Sequence, residues 1–128
     1  VVIDTPIGRL GLSVCYDVRF PELYRELVRQ GAEIFIMVAA FTATTGAAHW
    51  HALLRARAIE NITYMLASNQ GGVHANGRET YGHSLIVNPW GEILSEIKYG
   101  TGLIFSNIDL EQLHQRRATF PCLDHRIL

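Results

Sequence analysis

Short apolar runs and two helical stretches alternate along the first seventy residues. Val1–Ile3 and 9–15 are rich in β-formers, and the Thr-Pro-Ile-Gly stretch between them predicts a hairpin. Pro21 suits the first turn of a helix, where its missing N–H is not needed, and Glu22 suits the positive end of the dipole. Leu23, Leu27 and Val28 then mark one apolar face, Tyr24 lies beside it, and Gly31 ends the helix. The continuous run 33–40 (EIFIMVAA) predicts a strand buried on both faces. FTATTG predicts a loop, followed by a helix over about 47–62 in which Trp50, Leu54, Ala58 and Ile62 recur every four residues. A strand over 63–68 precedes a polar, Gly-rich loop over 69–79. Strands are expected at 83–87, 92–98 and 103–108, with NPWG as the turn between the first two. Asp109 then caps a last short helix, 110–117.

This order, β-β-α-β-α-β and then an antiparallel meander, predicts a layered α/β sandwich with a mixed sheet. Cys15, Phe41 and Asn69 each fall at or just after the C-terminal end of an expected strand, the edge where α/β sheets collect ligands.

Composition narrows the function classes. The 128 residues predict one domain, and 48% hydrophobic with 18% charged residues fits a globular protein. Eleven basic residues against twelve acidic ones show no basic excess, so neither nucleic acid nor a membrane surface is an expected partner. No apolar run approaches a membrane span. Two cysteines, Cys15 and Cys122, make no disulfide framework and no CxxC motif, which suits a reducing, cytoplasmic setting. The chain opens VVIDTPIG without an initiator methionine, so part of a longer protein is expected.

The candidate chemistry centres on GLSVCYDVRFPEL, residues 11–23. A free cysteine is ordinarily a small buried hydrophobe. Cys15, however, ends a strand and faces a helix N-terminus, a setting that favours thiolate. The Tyr16 backbone N–H is placed to donate to an oxyanion, and Arg19 adds positive charge for an anionic substrate group. The histidines, His49, His51, His74, His83, His114 and His125, show no spacing that demands partnership. His49 and His51 stand two apart on a helix and point to different sides, so neither a zinc pair nor a Cys/His protease arrangement is expected. Arg57 and Glu60 read as a structural ion pair one turn apart, and Trp50 and Trp90 as core and turn packing. The GG of NQGGV is too short and poorly placed to bind phosphate.

Three stretches, GLSVCYDVRFPELY, AFTATTGAAHWHALLRARAIEN and YGHSLIVNPWGEIL, occur in an order that resembles the C-terminal half of the nitrilase superfamily of carbon–nitrogen hydrolases. Within it, CYDVRFPE and QGG…YGHS are most similar to the Nit branch, which holds deaminated glutathione amidases and ω-amidases. The resemblance covers almost the whole chain. It implies a four-layer αββα sandwich, of which residues 1–128 are the C-terminal portion, usually dimeric and without a cofactor or metal. It also implies a Glu–Lys–Cys triad acting on small amides, with Cys15 as nucleophile and the Tyr16 N–H as an oxyanion donor. In the ω-amidase-like members, residues matching Arg19, Phe41 and Thr45 line the substrate pocket, where Arg19 would grip a substrate carboxylate. The helices over 21–30 and 47–62 correspond to those that pair across the family dimer.

One departure is large. The family's glutamate and lysine both precede the cysteine, and the only lysine here, Lys98, follows it. Glu22 and Glu60 also follow Cys15 and match other family positions. The expectation is an amidase fragment completed by a missing N-terminal half. The alternative is a non-catalytic half-domain that serves association or scaffolding.

Overall fold

In the computed structural model, which describes residues 1–127, the expected hairpin forms from β1 (Val2–Thr5) and β2 (Gly8–Val14). Beyond it lie β3 (Ile34–Ala39), β4 (Tyr64–Asn69), β7 (Ser84–Val87) and β8 (Ile93–Ile97), completing a six-stranded mixed sheet in the order β1-β2-β3-β4-β7-β8. The central three strands, β2, β3 and β4, run parallel, and the outer pairings are antiparallel. Register places Val14 beside Val38, and Val38 beside Ser68, so the C-terminal ends of the parallel strands are level.

Helices α1 (Pro21–Arg29) and α2 (Ala43–Asn61) cover one face. Tyr24 and Leu27 from α1 and Trp50, Leu54 and Ala58 from α2 close over Phe35, Met37, Met65, Leu85 and Val87. Arg57 is buried beneath this layer. Its Nε–H donates to the Val18 carbonyl (2.9 Å) and it pairs with Glu60 at 3.0 Å, the structural ion pair expected from their spacing.

The opposite face is only partly covered. Leu113 of α3 (Leu110–Thr119) packs with Ile34 and Tyr64 at one end, and Asp109 caps α3 by accepting the Gln112 N–H (2.8 Å). Beyond that cluster an apolar strip is open: Leu12, Val14 and Val38 are 39%, 57% and 49% exposed. The expectation that β3 is buried on both faces therefore fails. Its apolar run supplies two apolar faces, and the described residues cover only one of them completely.

Three other boundaries differ from the sequence pattern. α2 begins at Ala43 rather than at 47, because Thr42 and Thr45 join their hydroxyls at 2.9 Å and the Thr42 carbonyl accepts the Gly46 N–H at 2.7 Å. Gly46 is also needed sterically, since a Cβ there would lie 2.3 Å from the Cβ of Tyr81. The polar stretch 69–79 is not wholly a loop. It turns back on itself as a two-stranded ribbon, β5 (Gly71–Val73) with β6 (Glu79–Tyr81), which glycine content obscures in sequence. Finally, 103–108 forms no strand, and Leu103 and Phe105 are 82% and 79% exposed. β-propensity without a neighbouring strand to pair does not make a ladder.

Candidate functional site

The chain leaves β2 at Val14 and turns at once into a short 3-10 helix, Cys15–Arg19, before Pro21 opens α1. Cys15 stands at the turn with φ 45°, a left-handed conformation that costs a non-glycine residue energy. Its neighbours hold it there. The Asp17 carboxylate accepts the Val14 N–H at 2.9 Å, and Val18 is fully buried against the core. Below the turn, the Tyr24 hydroxyl donates to Ser13 Oγ (2.9 Å), which donates to the Ile36 carbonyl (3.0 Å). Burial pushes the Tyr24 phenol up to about 12, so this relay stays protonated.

Cys15 itself is half-buried and unpaired. The first N–H groups of a 3-10 helix have no partner within the helix, so the Tyr16 and Asp17 amides, next along the chain from the thiol, are left without a helical acceptor. Such a constellation offers a nucleophile and adjacent donors for the oxygen of a carbonyl under attack.

Arg19 closes one side of the turn. Its guanidinium lies 5.1 Å from the centre of the Phe41 ring and 5.5 Å from that of Tyr16, and NH1 meets His49 Nδ1 at 3.3 Å. Phe41 is buried against Trp50, with ring centres 5.1 Å apart, and its N–H donates to Asn69 Oδ1 at 2.8 Å. Arg19, Phe41 and His49 are thus brought together from the 3-10 turn, the segment after β3 and α2. Thr45 lies one turn before His49 on α2, on the same side of that helix. Its hydroxyl is engaged with Thr42.

Two residues here escaped the sequence pattern. His49, whose spacing demanded no partner, touches Arg19 from thirty positions away. Asn69 was visible only as a strand end, yet it ties two loops together. Besides holding Phe41, its Nδ2–H donates to the Gly82 carbonyl at 2.6 Å. No local spacing links any of these partners, so a single sequence carries no signal for them.

The histidines also require a correction. His51 Nε2 and His83 Nδ1 both meet Glu96 Oε1, at 2.9 and 2.6 Å. Burial works to raise the Glu96 carboxyl, but the two imidazole contacts outweigh it and hold the group below the ordinary glutamate range. The partners stand 45 and 13 positions from Glu96, out of reach of any helical or strand period.

A thiol-bearing strand-to-helix turn at the aligned ends of parallel strands, backed by helices on one sheet face, lies at the edge where α/β sheets collect ligands. The carbon–nitrogen hydrolase family model matches residues 1–118, and the chain belongs to that family. It is 52% identical over 120 residues to a deaminated glutathione amidase of Synechocystis, covering 94% of this chain and 44% of that protein. It is 49% identical to the deaminated glutathione amidase of Bos taurus, covering 97% of this chain and 38% of that one. Among solved structures, the NitFhit protein of C. elegans superposes with a TM-score of 0.95 at 48% identity, over 98% of this chain and 31% of that chain. Nit3 of Saccharomyces cerevisiae, a member of branch 10 of the nitrilase superfamily, superposes at 0.87 with 37% identity, over 94% and 45% of the two chains. The fold is therefore of the nitrilase type and the relatives are of the Nit branch, while the chain spans less than half the length of these relatives.

Proposed function

We propose that this chain carries the nucleophile half of an amidase that hydrolyses small amides of carboxylic acids through a thioester on Cys15. The observation that carries the reading is the Cys15 turn: a half-buried thiol at φ 45° where β2 ends and a 3-10 helix begins, with Arg19 held alongside by Phe41. The names of the relatives as deaminated glutathione amidases support the substrate class. So does an amidase from Nesterenkonia sp. AN1, 32% identical over 94% of this chain, whose structure is described as showing Michael addition of acrylamide at the active-site cysteine.

In this reading the Cys15 thiolate attacks the amide carbon. The Tyr16 N–H donates to the oxygen as it gains charge, and a carboxylate elsewhere on the substrate pairs with Arg19 beside Phe41 and Thr45. Collapse of the tetrahedral intermediate breaks the C–N bond, and the general base returns the thiol's proton to the leaving nitrogen, so ammonia departs. Water then attacks the thioester, releasing the acid and restoring the thiol. The general base and the electrostatic partner, a glutamate and a lysine in the resemblance, come from a companion N-terminal half. A positioned general base is worth roughly 10²–10⁴ in rate, so it is where most of the remaining catalysis would come from.

The companion's place is the open strip of Leu12, Val14, Ile36 and Val38, where a second sheet would complete the four layers. Pairing of two such assemblies through α1 and α2 belongs to the same proposal. The open strip is also what favours the second reading, a half-domain that associates without chemistry.

One experiment separates the two. The chain is co-expressed with the N-terminal half of a full-length Nit relative, given a small amide, and examined by intact mass and ammonia release. Acyl-Cys15 and ammonia are expected. Association without an adduct supports the second reading, and turnover undiminished in Cys15→Ala would sink the first.

A further inference from the structure

We propose that His51, His83 and Glu96 form a binding site for a divalent first-row cation, best fitted by Zn²⁺, that clips α2 to the β7–β8 hairpin. The proposal is independent of the amidase reading.

Three elements send one ligand atom each to a common point. His51 comes from α2, His83 from the turn entering β7, and Glu96 from β8. The three ligand atoms lie within 4.8 Å of one another, and both imidazole nitrogens converge on the same carboxylate oxygen, Glu96 Oε1. Two nitrogens and a carboxylate oxygen are a donor set that zinc accepts, with water completing the tetrahedron. Imidazole donors disfavour Mg²⁺ and Ca²⁺, which prefer all-oxygen shells.

The fit needs side-chain adjustment but no backbone change. Metal bonds of about 2.0–2.1 Å at tetrahedral angles put ligand atoms about 3.3 Å apart. The contacts of 2.9 and 2.6 Å would open by about 0.4 and 0.7 Å, and the two imidazole nitrogens, within 4.8 Å of each other, would draw in around the ion. To ligate, each imidazole would carry its proton on the ring nitrogen that does not face Glu96 and present a lone pair from the other. The His51, His83 and Glu96 side chains are 29%, 11% and 21% exposed, so an ion and its water can reach them.

The site is also built rather than incidental. Gly82 and His83 take consecutive left-handed conformations, φ 70° and 57°, which swing the His83 ring toward α2. A Cβ at residue 82 would lie 2.6 Å from the Lys98 carbonyl, so glycine is required. The turn's backbone is satisfied throughout. The Gly82 and His83 N–H groups donate to the Gln70 and Lys98 carbonyls, while their own carbonyls accept from Asn69 Nδ2 and Trp50 Nε1. Tyr81 stacks on His83 at 4.2 Å, and Tyr99 meets it edge-on at 5.6 Å, walling the imidazole in place.

The test is titration of the full chain with Co²⁺ as a spectroscopic probe, followed by competition with Zn²⁺. Expected are saturable one-to-one binding, the intense visible bands of tetrahedral cobalt, and no near-ultraviolet thiolate band. A thermal midpoint that rises with Zn²⁺ is expected as well. Glu96→Gln keeps an oxygen to accept the imidazole N–H groups but loses the anionic ligand, and should weaken binding by at least about 10–100-fold. His114→Ala, outside the cluster, should leave binding unchanged. X-ray absorption on the zinc-loaded wild-type chain should count two imidazoles, a readout that needs no variant to fold. Three results would each overturn the proposal: no saturable binding below millimolar metal, a thiolate-ligated spectrum, or fewer than two imidazoles in the zinc shell. In the first case the trio is a hydrogen-bonded brace and nothing more.

Discussion

On β3, Phe35 and Met37 are fully buried beneath α1 and α2, while Val38, the next residue along, is 49% exposed on the other side of the same sheet. The two faces have similar apolar side chains, so composition does not distinguish them. What differs is cover. The helix side has Tyr24, Trp50 and Leu54 packed over it; among the described residues, the other has α3 and Ile108 over one end and leaves the strip at Val38 open. The comparison teaches that a strand's hydrophobicity states a demand for burial, and another element has to meet it. At about 25 cal/mol per Å² of apolar surface, the uncovered strip retains a substantial drive toward association.

The sharpest way to break this contrast is to open the closed face. Trp50→Ala should destabilise the chain by about 3–5 kcal/mol in urea unfolding, because the indole is fully buried and its N–H is bonded to His83. A loss under about 1 kcal/mol would mean the helical layer is not the core. Gly46→Ala should cost about 1–3 kcal/mol by forcing α2 away from Tyr81, whose Cβ the new methyl would meet.

Smaller effects are expected where α3 docks on the partly covered face. Asp109→Ala removes the cap on the Gln112 N–H and should cost about 1 kcal/mol. The same dock has an acid limb. Burial works to raise the Glu33 carboxyl, but the Arg9 N–H, the His114 contact at 2.5 Å and the Arg117 charge outweigh it, so the group is held below the ordinary range. A depressed carboxyl contributes stability at neutral pH that is lost as pH falls from the unfolded value through the folded one. Glu33→Gln should therefore flatten the decline of thermal stability below about pH 4.3. An unchanged acid limb would show that Glu33 does not contribute.

Smallest of all is the expected effect of Val38→Asn on the chain's own stability, within about 0.5 kcal/mol. The same change should weaken capture of a companion half by more than about tenfold in a pull-down titration. If it instead unfolds the chain and leaves capture intact, the open strip has been misjudged and the contrast between the faces fails.

Much of the fold was legible in order and period. The β1–β2 hairpin, Pro21 at the start of α1, Gly31 after its end and Asp109 as a cap follow from φ preferences and local hydrogen bonds, which a short window of residues contains. The early start of α2 was obscured because threonines read as loop until one sees Thr42 bonding Thr45 and Gly46 packing on Tyr81. Residues 103–108 misled for the converse reason: β-formers were present, but no strand lay alongside.

The site divides in the same way. Sequence alone determined that Cys15 follows a strand and precedes a helix with Arg19 close behind, since these residues are neighbours along the chain. Tertiary structure alone decided that Cys15 sits at φ 45°, that Arg19 meets Phe41 and His49, and that Asn69 joins Phe41 to Gly82. It also decided that two histidines share one oxygen of Glu96. The reason is physical: local pattern governs torsions and caps within a turn or two, whereas contacts across loops exist only once the sheet aligns their ends.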